Sequence, residues 1–156
     1  MWEIRKHTVK GLKPGDVFTV SRIFSETETI QFAEITKDYN PVHFDERFTE
    51  IKGFSGCICH GLLAASLITE IGGEIGWLAS GMSFSFKKPV YFGDTITCRM
   101  TITKIDNKGK AEAQAVYTNQ NDETVLLADL TGIVPGEKEI SVMKSLLAEG
   151  GPVKSI

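Results

Sequence analysis

Two periodicities divide this chain. In its second half apolar residues recur at every other position. "MSFSF" sets Met82, Phe84 and Phe86 against serines, and "GDTITCRMTITKI" sets Ile96, Cys98, Met100 and Ile102 against threonines and Arg99. Successive side chains of a strand point to opposite faces, so this alternation predicts strands buried on one side only. "DNKGK" at 106–110 has the composition of a hairpin turn, and "AEAQAVY" after it carries small inward alanines. "NQND" turns the chain once more into "ETVLLADLTGIV". The pattern predicts four strands joined by short turns in an antiparallel meander.

The first half reads differently. "GDVFTVSRIF" (15–24) is β-branched and loosely alternating, which predicts a first strand. Ser25 followed three residues later by Glu28 is a capping-box signature. The hydroxyl accepts one of the orphan amides at a helix start while the carboxylate reaches back. Ile30, Ala33 and Ile35 would give that helix its apolar stripe. Asn40-Pro41 marks its exit, because a residue before proline avoids helical torsions. After an irregular stretch, "ICHGLLAASLITEIGGEIGWL" is apolar on nearly every side, the pattern of a buried helix. Gly61, Ala64, Ala65 and Ser66 would let a sheet approach it closely, and Gly72-Gly73 weaken its far end. One sheet wrapped around one such helix buries both, giving an α+β fold. An unpaired edge strand in that sheet predicts a homodimer that covers it.

Length and composition narrow the reading without adding to it. At 156 residues a single domain spanning 1–156 is expected, with its core at about 14–135 and an extension over 136–156. In the extension, Ile140, Met143 and Leu147 are spaced to form a short helix against the sheet. A net charge of −3 argues against nucleic acid as a partner. No signal-peptide or membrane-spanning apolar run is evident, so a cytoplasmic protein without a membrane span is expected. The odd cysteine number (Cys57, Cys59, Cys98) fits free thiols. Cys57-x-Cys59-His60 lacks both the spacing and the fourth ligand of a structural zinc site, so no metal and no cofactor are expected.

The densest chemistry lies in "ITKDYNPVHFDERF". A turn accounts for Asp38, Asn40 and Pro41, but not for His43. Five positions apart on a helix, Asp38 and His43 would diverge. On a tight turn they can converge, and a carboxylate beside an imidazole can hold a water molecule and move protons near neutral pH. Asn40 suits an Asx-type turn, and Asp45 either orients the imidazole or caps "ERFTE". Taken alone, such a pair is more often a turn than an active site. In "CHGLLAAS", Gly61 leaves first-turn amides unshielded for a developing oxyanion, although close packing alone also explains it.

Together, "FAEITKDYNPVHFDERF", "GCICHGLLAASLI" and "SFSFKKPVYFGDTI" resemble the MaoC-like hydratases, in particular the (R)-specific enoyl-CoA hydratase type. The resemblance spans about residues 14 to 135 and implies a hot-dog fold and a homodimer. It implies a hydro-lyase of fatty acid metabolism that adds water reversibly to a trans-2-enoyl-CoA, giving an (R)-3-hydroxyacyl-CoA. The thioester would be carried by CoA or acyl carrier protein. By the same resemblance Asp38 is the catalytic acid/base, with His43 its partner on the water. Gly61 is the amide donor to the thioester oxygen, Asn40 lies in the loop motif, and Thr69 keeps a hydroxyl where hydratases often have serine. Two other readings stay open: a hot-dog thioesterase using a helix carboxylate such as Glu70 or Glu74, and a non-catalytic acyl-thioester binding module.

Overall fold

The computed structural model describes residues 2–150. The chain runs through α1 (Glu3–Thr8), β1 (Val17–Ile23), α2 (Glu26–Thr36), a single 3₁₀ turn (Pro41–His43) and α3 (Glu46–Ile51). It continues through α4 (Gly61–Ala65), α5 (Leu67–Ile75), β2 (Leu78–Phe86), β3 (Thr95–Ile105), β4 (Lys110–Thr118), β5 (Thr124–Ile133) and α6 (Glu137–Ala148). Residues 151–156, the end of the predicted extension, lie outside the described residues.

One antiparallel sheet has the order β1-β3-β4-β5-β2. Its concave face presents Ile96, Cys98, Met100 and Ile102 from β3 and Ala111, Ala113, Ala115 and Tyr117 from β4, all buried as the alternation predicts. The β4 alanines sit level with the larger β3 side chains, Ala115 opposite Met100 and Ala113 opposite Ile102. Against this face lie Leu63, Leu67, Ile68, Ile71 and Ile75 of α4 and α5 in one continuous core. This is the predicted sheet around a central helix, except that the helix has a step at Ser66. There the Thr69 amide reaches back only three residues to the Ser66 carbonyl. The Ala65 carbonyl receives the hydroxyl of fully buried Tyr117 at 2.9 Å.

Several expectations need correction. The four strands do not form a simple meander: β3, β4 and β5 do, but β2 crosses the sheet to pair with the far side of β5. The expected half-buried β2 is exposed along most of its length, with Met82 and Phe86 about half accessible. Helix α2 has its capping box, but it ends at Thr36 rather than at Asn40-Pro41, because Lys37 adopts left-handed torsions. Of its expected stripe only Ala33 is buried. Thr29 joins it, while Ile35 is 81% exposed. Helix α6 is present, with Met143 buried, but it packs beside Gly76 and Pro135 at the end of the central helix and against α1.

Helix α1 has no counterpart in the sequence reading. Its Arg5 is buried and its guanidinium donates to the carbonyls of Gly73 (2.6 Å) and Glu74 (3.2 Å). Those carbonyls belong to the last turn of α5, where acceptors lack helical partners. The weak Gly72-Gly73 end is thus held by a residue from the far end of the chain.

Candidate active site

The loop after α2 is folded by its own short polar side chains. Thr36 Oγ1 accepts from the Asp38 amide, Asp38 Oδ1 from the Asn40 amide, and Asn40 Oδ1 from the Val42 amide. Such local bonds stop the helix and favour a chain of turns. Pro41 then opens the 3₁₀ turn, whose donor-free nitrogen suits that position. The loop is stitched to the body by Ile58 N–H to the Val42 carbonyl (3.2 Å) and Cys59 N–H to the Val90 carbonyl (2.8 Å).

This framework brings the predicted pair together. His43 Nε2 stands 4.0 Å from Asp38 Oδ2. That is too long for a direct hydrogen bond, but a water about 2.8 Å from each atom spans it. His43 is buried, whereas the Asp38 side chain is about half exposed. On its other side His43 Nδ1 meets the Ile58 carbonyl at 2.8 Å. A carbonyl only accepts, so Nδ1 carries the hydrogen and the neutral ring presents the Nε2 lone pair towards Asp38. Burial pushes the His43 pKa below its ordinary value, although the Ile58 bond and the Asp38 carboxylate oppose this.

Both residues line a cavity of about 610 Å³ with Gly61, Phe32, Phe54, Phe86, Val90 and Leu126 among its walls. Lys87 and Lys88 lie at its border. The Phe86 ring crosses Gly61 so closely that a Cβ there would stand 2.6 Å from Cε1. Gly61 is therefore required for this approach, and its amide begins the central helix inside the cavity.

Two expected site residues are not brought here. Asn40 is exposed and its carbonyl oxygen is engaged by Val42, so it shapes the loop without lining the cavity. Thr69 donates its hydroxyl to the Ser66 carbonyl (2.7 Å) and lines a separate, smaller space with Trp77 and Met82. A helix turn and more separates it from Gly61. Asp45 caps α3 and pairs with Arg47, which holds its carboxyl down to about 2, so it does not orient His43. Glu70 and Glu74 are also absent from the cavity wall, and the Glu74 carboxylate accepts from the Arg5 amide.

The residue missed by sequence reasoning is His60. It is 2% exposed, its Nε2 is 2.9 Å from the Asp38 carbonyl oxygen, and its ring stacks on His43 with centroids 3.7 Å apart. Its place directly before Gly61 was visible in the sequence, but the turn of its ring into the cavity was not, because that depends on how the loop packs on the helix start. Ligand atoms of Asp38, His43 and His60 lie within 4.8 Å of one another, so among the described residues these three, and not the Cys57/Cys59 pair, are the side chains that a metal ion could join. Cys59 is buried and its thiol is pushed up to about 11 by desolvation, which leaves it protonated and a poor nucleophile.

An antiparallel sheet curled around one helix, with a 29% identical solved relative at TM-score 0.75, is a hot-dog fold. That relative is the (R)-hydratase from Aeromonas caviae involved in PHA biosynthesis, matched over 81% of this chain and 99% of its own. Residues 10–125 match the MaoC like domain, and the chain belongs to that family of hydratases and dehydratases. It is 31% identical over 130 residues to the mitochondrial 3-hydroxyacyl-[acyl-carrier-protein] dehydratase of Arabidopsis thaliana, covering 80% of this chain and 78% of that protein. It is 33% identical over 102 residues to the (R)-specific enoyl-CoA hydratase of Aeromonas caviae, covering 63% and 76%. No described helix is long and apolar enough to cross a membrane.

Proposed function

We propose that this protein interconverts a trans-2-enoyl thioester and water with the (R)-3-hydroxyacyl thioester. The observation that carries the reading is the 4.0 Å gap between Asp38 Oδ2 and His43 Nε2 at the wall of a largely apolar cavity. A water held in that gap offers a lone pair to C3 of the enoyl group. As the C–O bond forms, Asp38 takes the released proton and returns it to C2, while His43 Nε2 accepts the water's other O–H bond and fixes its direction. The negative charge that develops on the thioester oxygen meets the Gly61 amide at the helix start. Dehydration is the same path reversed. Hydratases of CoA esters and a dehydratase of acyl carrier protein esters are both among the relatives, so either carrier suits the reading. We also assign the working unit as a homodimer in the cytoplasm.

Crotonyl-CoA, with enoyl absorbance and free thiol followed separately, tests the reaction. Loss of the enoyl signal without thiol release is expected. Thiol release would instead identify a thioesterase, and binding without turnover an acyl-thioester module.

A further inference from the structure

We infer that His60 is a positioning residue that holds both halves of the acid/base pair in register with the Gly61 amide. This rests on the hydration reading above. Two independent contacts carry it. Nε2 must bear a hydrogen to satisfy the Asp38 carbonyl at 2.9 Å, so the ring clamps the main chain from which the carboxylate projects. The same ring lies against His43, with centroids 3.7 Å apart and planes 30° from parallel. Because His60 directly precedes Gly61, one residue ties the proton-transfer groups to the amide that meets the thioester oxygen.

A packing role alone explains His60 poorly. Its slot is lined by the rings of Phe32 (5.1 Å) and Phe44 (6.1 Å), where a phenylalanine would fit an apolar setting. The histidine instead leaves Nδ1 buried with no hydrogen-bond partner. Burying an unpaired polar atom is unfavourable, and it is tolerated where the other ring nitrogen serves the site.

The test compares His60→Gln with His60→Asn, and both with His60→Phe. Glutamine sets an N–H near the place of Nε2, asparagine near the place of Nδ1, and phenylalanine keeps the ring without a donor. Expected are a kcat lowered about tenfold to a hundredfold in the asparagine and phenylalanine variants, KM changed far less, and partial rescue by glutamine. The loop is also followed through the backbone amide NMR signals of Tyr39 and Asn40 in every folded variant. These should stay near their wild-type positions with glutamine and move with asparagine, because only glutamine keeps a donor for the Asp38 carbonyl. Equal kcat in the glutamine and asparagine variants with equal loop signals would overturn the assignment, whether or not the phenylalanine variant folds. If the wild type hydrates no enoyl thioester yet the loop signals divide the variants in this way, the hydration reading falls and the clamp stands.

Discussion

On the proposed reaction Asp38 and His43, 4.0 Å apart, act on one water, which would make their effects non-additive. Asp38→Asn and His43→Gln should each lower turnover about a hundredfold to ten-thousandfold, and the double variant should be scarcely slower than either single one. Thermal melting should change little for Asp38→Asn, whose side chain is half in solvent. Steady-state rates on an enoyl-CoA, with melts of all four proteins, check both statements. His43 also sets a pH dependence. Its pKa in the folded chain lies below the unfolded value of about 6.5, chiefly because burial disfavours the charged ring. Between those two values the unfolded chain binds more protons, so this contribution to stability is intact above about 6.5 and is lost as pH falls through the window. The acid limb of kcat/KM in the free enzyme should likewise lie below about 6.5, since Nε2 must be unprotonated to accept from water. An acid limb at or above that value, with unchanged stability across the window, would contradict the buried neutral ring.

At the scale of elements, the step in the central helix depends on a single buried side-chain donor. Tyr117 supplies the hydroxyl for the Ala65 carbonyl at that step, inside the core. Tyr117→Phe leaves the carbonyl without this donor and should cost about 1–3 kcal/mol. A chain of this size melts about 2–4 °C lower per kcal/mol lost, so calorimetry reads the effect directly. The helix step also shows what the sequence could and could not disclose. Alternation located β3 and β4, the "NQND" turn located β5, and the Ser25/Glu28 pair located the start of α2, because those signals are local. Helix α1 escaped notice because its reason to exist is the Arg5 clasp on Gly73 and Glu74, partners far along the chain. The position of β2 escaped for the same reason, since pairing with β5 rather than β3 is decided by the crossover and not by the strand's own pattern. Within the site, the loop motif named Asp38 and His43, and "CHGLLAAS" named Gly61, and the structure brings these three to one cavity. His60 and the separation of Thr69 required the helix and loop to be set in space.

At the scale of the whole molecule, β2 is one of the two edge strands, β1 being the other, and Leu78, Met82 and Phe86 are accessible along it. Open backbone groups and accessible apolar side chains on one edge suit pairing with a second copy. Light scattering at micromolar concentration should therefore give twice the chain mass, and Met82→Lys should shift the population towards single chains. A wild-type protein that stays at one chain mass would refute the dimer. The cavity spreads differently over the chain. Asp38, His43, His60 and Gly61 fall in one short continuous block, whereas Phe86, Val90, Val125 and Leu126 come from distant strands and their connections. The carboxylate and imidazoles of the cavity are thus confined to that block, while the walls are shared between this part of the chain, through Phe32, Phe54 and Leu62, and the later segments. On the proposed reaction, substitutions at Val90, Val125 or Leu126 would reshape the acyl space without replacing the groups that move the proton. Variation confined to those later positions would alter what this fold accepts while leaving the loop and helix start as they are.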